Sequence, residues 1–181
     1  MKIVVLKFGG TSVGTIEKIK KVTDIIIEHK KKKNKVIVVS SAMSGVTNDL
    51  IKKSKQISNN FIDSEYDVLV SSGEQVACSL IAGRLNHKGF KSRSWLGWQI
   101  PIFTNGPYKN SRIQQVNKNK LLRFLKEGGI PIITGFQGVN MNERVTTIGR
   151  GGSDASAIMI CLLYTSPSPR DKTPSRMPSS A

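Results

Sequence analysis

At 181 residues the chain is long enough for one α/β domain with a sizeable core and too short to promise two. Its formal charge of +16, from 28 basic against 12 acidic residues, invites a nucleic-acid partner. The lysines, however, concentrate at 18–21 and 30–35, at the two ends of one amphipathic stretch and with few aromatics between them for base stacking, so they are read as a solvated face.

Met1 leads directly into Ile3–Leu6, an apolar run of strand length that is far too short for a secretory core or a membrane span, and a cytoplasmic, reducing setting is expected. From Ile16 to His29 the apolar positions Ile16, Ile19, Val22, Ile26 and Ile27 recur at helical spacing. Val36–Val39, Asp67–Val70 and Ile130–Thr134 read as further buried strands, by length and by their β-branched content. Helices are expected over Gln75–Asn86, stopping at Gly89, and over Lys118–Lys126, stopping at Gly128 and Gly129. The alternation predicts an α/β fold, a mostly parallel sheet covered by helices. Cys78 and Cys161 lie far apart in apolar surroundings with no C-x-x-C spacing, which indicates neither metal nor disulfide.

Composition breaks after Leu163. Ala155–Leu163 reads as helix interior and then runs into Thr165, Ser166 and Pro167, and residues 164–181 carry four prolines among serines. The domain is therefore expected to span residues 1–163, with 164–181 a disordered tail that reflects an interrupted reading frame or an appended segment; a native Pro/Ser-rich tail is the alternative.

Chemistry is concentrated where glycines precede helices. Lys7-Phe8-Gly9-Gly10-Thr11-Ser12 follows the first strand: paired glycines let backbone approach a phosphate, Thr11 and Ser12 can donate, and Lys7 adds a compact charge. The lysine precedes the glycines, so this is neither a Walker A loop nor G-x-G-x-x-G. A second such run, Gly149-Arg150-Gly151-Gly152-Ser153-Asp154, again opens a helix; Arg150 suits a carboxylate or phosphate clamp, and Asp154 reads either as a helix cap or as a group that orients Lys7 and the nucleotide. Ser40–Asn48 and Ser71-Ser72-Gly73-Glu74 follow the second and third expected strands, and Gly135–Gly138 follows Ile130–Thr134. Five loops would thus converge on one sheet edge, where α/β folds bind ligands. Glu74, expected in a helix's first turn, either satisfies the helix dipole or holds an amino group.

In order along the chain, K-F-G-G-T-S-V, V-S-S-A-M-S-G-V-T-N, S-S-G-E-Q-V, G-F-Q-G-V and T-T-I-G-R-G-G-S-D resemble the aspartate kinase family, and S-W-L-G-W-Q-I-P-I-F-T at 94–104 looks like its middle section. The resemblance implies the three-layer α/β/α sandwich of amino-acid kinases and transfer of the ATP γ-phosphoryl to the side-chain carboxylate of L-aspartate, the entry step to lysine, threonine and methionine. It places Lys7, Gly9, Gly10, Thr11, Ser12, Gly152 and Ser153 at the nucleotide phosphates, and Ser41, Thr47, Glu74, Arg150 and Ser153 at aspartate. Lys7 and Asp154 would act at the moving phosphoryl. Mg²⁺ would arrive with ATP, with no direct protein ligand, and the full-length enzyme would be a homo-oligomer. Past Leu163 the second nucleotide-binding half, with its Y-T-D-x-D-G type segment, and the regulatory ACT domains of the family are not found, so this chain is expected to be incomplete and of low activity alone. Two alternatives stay open: another phosphotransferase of the superfamily, and a non-catalytic fragment that binds nucleotide or nucleic acid.

Overall fold

A computed structural model describes residues 2–149 and 151–165. In chain order it contains β1 (Ile3–Phe8), α1 (Ile16–Lys31), β2 (Lys35–Ser40), α2 (Val46–Ile57), α3 (Asp63–His87), β3 (Ser92–Trp95), β4 (Ile102–Asn105), β5 (Arg112–Val116), α4 (Asn119–Lys126), β6 (Ile130–Thr134), β7 (Gln137–Val139), β8 (Val145–Thr147) and α5 (Gly152–Thr165). The main sheet has the order β1-β2-β6-β3, and each of its pairings is parallel.

Burial on both faces explains why β2 and β6 are continuous apolar runs instead of alternating ones. Successive side chains still point to opposite sides. Val36, Val38, Ile130 and Ile132 enter the layer with Ile19, Val22 and Ile26 of α1 and Ala77, Ile81 and Leu85 of α3. Ile37, Val39 and Ile133 enter the opposite layer with Leu121 and Leu125 of α4 and Ala157 and Ile160 of α5. Three layers result. Each isoleucine at zero exposure contributes about 1.5–3 kcal/mol by leaving water.

α1 begins where Thr15 accepts a hydrogen bond from the Lys18 amide at 3.2 Å; of the expected stripe Ile19, Val22 and Ile26 are buried and Ile27 is half-buried, whereas Ile16, in the first turn, is exposed. Lys18, Lys20, Lys21 and Lys31–Lys33 are exposed on it and beyond its end. A second sheet, β5-β4-β7-β8, is largely antiparallel and carries the segments between α3 and α5 to the rim of the main sheet.

Asp67–Val70 is not a strand. It lies within α3, a 25-residue helix that also absorbs the expected helix at 75–86 and starts twelve residues before it. The run looked strand-like because α3 is apolar on more than one side: Val70, Ala77, Ile81 and Leu85 are buried, while Val68, Val76 and Leu80 are partly exposed. A short apolar run bounded by polar residues does not distinguish a strand from a segment of packed helix. In consequence Ser71-Ser72-Gly73-Glu74 is mid-helix and not a strand-end loop, and Glu74 is not in a first turn. The tail expected at 164–181 begins later: Tyr164 and Thr165 continue α5, and the Tyr164 hydroxyl donates to the Lys118 carbonyl at 3.2 Å, while residues 166–181 lie outside the described residues, as does Arg150.

Candidate active site

The ends of β1, β2 and β6 are tied side by side: the Ser41 amide donates to the Phe8 carbonyl and the Gly135 amide to that of Ser40, each at 3.0 Å. The loops that leave these strands therefore open at one edge. Gly10 sits so close to the next loop that an added Cβ would lie 2.9 Å from the Ala42 carbonyl oxygen. Gly135 is tighter still, since a Cβ there would meet the Ser153 side chain at 2.6–2.7 Å. Small residues at these points bring the start of α5 directly onto the end of β6.

A cavity of about 700 Å³ opens here. Of the residues expected at the site, it is lined by Lys7, Gly10, Ser41, Thr47, Glu74, Gly152, Ser153 and Asp154. Gly9, Thr11 and Ser12 belong to the same loop as Gly10 but do not line the cavity. Lys7 Nζ lies 2.9 Å from Asp154 Oδ1, joining the end of β1 to the first turn of α5. That pair is partly exposed, with Asp154 at 62%, and such pairs contribute little to stability. α5 is entered through Gly149 and Gly151 at φ +73° and +74°, a left-handed backbone that glycine adopts without strain, and the Asp154 and Ala155 amides both donate to the Gly151 carbonyl.

Glu74 reaches the cavity from the middle of α3. Gly73 makes this possible, because a Cβ there would come within 2.9 Å of the Ala42 Cβ, so α3 and the loop after β2 are in contact. Glu74 is 3% exposed. Its Oε1 accepts a hydrogen bond from the Ala42 amide at 3.2 Å, whereas its Oε2 is buried without a partner. Burial pushes its carboxyl up to about 7, against the opposing hydrogen bond from Ala42. A half-satisfied buried carboxylate facing a cavity suits a cationic ligand group.

Several lining residues were missed by sequence reasoning. Lys109 and Tyr66 line the cavity, with Lys109 Nζ 4.6 Å from the Tyr66 ring centroid and ion-paired to Asp63. Phe136 belongs to the Gly135–Gly138 loop expected at this edge, and it lines the cavity at φ +67°, a conformation uncommon outside glycine. Lys109 stands in a turn rich in Asn, Gly and Pro, so a loop was legible there, but its approach to α3 was not. Among the described residues no cluster of three or more His, Cys, Asp or Glu side chains could hold a metal ion.

Residues 2–164 match the amino acid kinase family. The chain belongs to that family. Aspartokinase of Geobacillus stearothermophilus is 47% identical over 173 residues, covering 91% of this chain and 42% of that relative. Aspartate kinase from Synechocystis is 38% identical with a TM-score of 0.74, covering 89% of this chain and 26% of that one. Escherichia coli aspartokinase III, solved in complex with aspartate and ADP, shares the amino acid kinase fold at a TM-score of 0.76 and 23% identity, over 89% of this chain and 46% of its own. The chain thus spans less than half the length of the curated relatives it matches.

Proposed function

We propose that this chain supplies the acceptor pocket and part of the phosphate site of an aspartate kinase, which transfers the ATP γ-phosphoryl group to the side-chain carboxylate of L-aspartate to give 4-phospho-L-aspartate. The observation that carries the reading is the unpartnered Oε2 of Glu74 in the same cavity as the Lys7–Asp154 pair. An amino acid brings an ammonium for the first and a carboxylate nucleophile toward the second. High similarity to aspartokinases across 91% of the chain supports the choice of aspartate among amino acids.

In this reading Glu74 holds the ammonium, and Arg150 and Thr47 hold the carboxylate that does not react; Ser41 and Ser153 complete the acceptor contacts. Lys7 lies against the phosphoryl oxygens, and the turns that carry Gly9, Gly10, Thr11 and Ser12 and Gly152 and Ser153 border the phosphates; the Ser12 and Gly152 amides are themselves engaged by the Gly9 and Gly149 carbonyls, at 2.9 and 3.1 Å, and shape these turns. The donor set fits a metal-bearing nucleotide. Lys7 lines the cavity and the exposed carboxylate of Asp154 stands beside its ammonium. Mg²⁺ carried by ATP would supply neutralisation of phosphate charge at that point. No general base is required, because a carboxylate is already ionised at neutral pH. The attacking oxygen forms the new P–O bond as the bond to the ADP oxygen breaks, and Lys7 compensates the charge that shifts between them. Asp154 holds the Lys7 ammonium in place at 2.9 Å. A cytoplasmic setting and a homo-oligomeric full-length enzyme belong to the same proposal; among the described residues no helix is long and apolar enough to cross a membrane.

The test is an acceptor panel. With ATP and Mg²⁺, L-aspartate should give ADP together with an acyl phosphate that hydroxylamine traps as the hydroxamate. Preference for L-glutamate, carbamate or a nucleotide would overturn the assignment.

A further inference from the structure

α3 carries a second buried carboxylate seven residues before Glu74. Seven residues is close to two full turns, so Asp67 and Glu74 share one face about 10 Å apart along the axis. Their surroundings differ. Glu74 keeps one oxygen without a partner, whereas Asp67, at zero exposure, is saturated. Its two oxygens accept from the Lys109 amide at 3.0 and 3.1 Å, from the Thr147 amide at 2.8 Å and from the Thr147 hydroxyl at 2.7 Å.

These donors belong to two separate segments that both reach the cavity. Lys109 lines it and is held at φ +66°, a left-handed conformation that a lysine keeps only when its surroundings impose it. Thr147 lines it at the end of β8, two residues before Gly149 on the way into α5. The two segments also touch each other, through the Ser111 amide on the Thr147 carbonyl at 2.9 Å. Between Asp67 and Glu74, the Ser71 carbonyl on α3 accepts from the Gln137 side chain at 2.9 Å, which fastens the start of β7. One helix face therefore anchors three chain segments and presents Glu74.

We propose that Asp67 is a positioning residue of the acceptor pocket: it fixes the Lys109 turn and the β8-to-α5 loop onto the helix that carries Glu74, and so sets the distance between the group that holds the substrate ammonium and the loop that holds its carboxylate. The proposal rests on the reading of the cavity as an amino-acid site. The net stability such a carboxylate adds is small, because the cost of taking it out of water offsets the hydrogen bonds it accepts; what it adds is a fixed geometry. The nucleotide side does not hang on it. β1 is held by β2, and α5 packs Ala157 and Ile160 into the core layer beneath it.

The experiment compares the parent protein with Asp67→Asn and with Ile26→Val, a core change in α1 remote from the cavity that lowers stability alone. Amide hydrogen exchange reads the pin directly. Asp67→Asn should speed exchange of residues 107–111 and 145–149 together by at least tenfold, weaken L-aspartate binding at least tenfold and change ADP binding less than threefold, while Ile26→Val leaves both affinities as in the parent. Unchanged exchange in both segments overturns the proposal, and so does faster exchange with parental aspartate affinity, which would make Asp67 structural only. A parent that takes up no L-aspartate overturns the reading of the cavity instead, and the exchange result still decides the pin. Should Asp67→Asn fail to fold, Thr147→Ala removes one of the four bonds and keeps the carboxylate. It should raise the aspartate dissociation constant threefold or more, and a parental value overturns the proposal.

Discussion

Glu74 and Lys7 line one cavity, yet opposite physics governs them. The Glu74 carboxyl, pushed to about 7 by burial, binds its proton more tightly in the folded chain than in the unfolded one, where its value is near 4.5. Between those values the folded state holds more protons, so the contribution of this group to stability falls as pH rises from about 4.5 to about 7, by roughly 3 kcal/mol. Glu74→Gln keeps the acceptor for the Ala42 amide and removes the charge. Urea denaturation should find it more stable than the parent at pH 8 and nearly equal at pH 4, with L-aspartate affinity reduced at least tenfold at pH 8. Equal midpoints at both pH values would mean that Glu74 is not titrating in this range. Below pH 7, aspartate binding should also release up to one proton, readable by calorimetry in two buffers of different ionisation enthalpy. Lys7 is 28% exposed, and its pair with Asp154 is worth under about 1 kcal/mol to folding. Lys7→Ala should therefore melt close to the parent while kcat falls by about 10²-fold or more, with much less change in aspartate affinity. Parental turnover would remove Lys7 from the mechanism.

α3 shows what sequence patterning conveys at the scale of an element and what it does not. The glycine loops that start α1 and α5 were legible because glycine next to a helix start has few other uses, and the helix of α1 was legible because one face is apolar and the other is lysine. α3 packs on more than one side, so its periodicity is blurred, and Asp67–Val70 read as a strand. The small sheet was missed for another reason: β5 buries only Val116 among Arg112, Gln114 and Gln115, and β7 and β8 have three residues each. Asp67 meets Lys109 and Thr147 across 42 and 80 residues, a juxtaposition that no local pattern encodes. Two glycines within α3 test its packing. At Gly83 an added Cβ meets nothing within 4 Å, so Gly83→Ala should stabilise by about 0.5–1 kcal/mol through helix propensity. At Gly73 the same propensity gain is opposed by Ala42 Cβ at 2.9 Å and Val46 Cγ1 at 3.2 Å. Neither atom is the tip of a flexible side chain, so overpacking by about 1–3 kcal/mol should win. Gly73→Ala should melt below the parent and Gly83→Ala above it. The reverse order would mean that the loop at 42–46 yields to α3.

For the whole molecule, the charge that first suggested nucleic acid becomes a property of the surface. Lys18, Lys20, Lys21 and Lys31–Lys33 are exposed along and beyond one helix on the outer layer, while the cavity lies at the strand ends and carries Lys7 and Lys109, each already paired with an acid. With 28 basic and 12 acidic residues the folded chain repels itself, and compactness is where that repulsion is greatest. The screening length shortens from about 30 Å at 0.01 M salt to about 8 Å at 0.15 M, from the breadth of the domain to the spacing of neighbouring side chains. Melting temperature should therefore rise by several degrees between those salt concentrations, most of it below 0.1 M. The same change should abolish retention on duplex DNA, because a solvated lysine face without stacking groups holds phosphate only through released counterions. DNA retained at 0.15 M salt and released by ATP would place phosphate recognition of both ligands in the cavity; DNA retained there and indifferent to ATP would make the α1 face a binding surface in its own right.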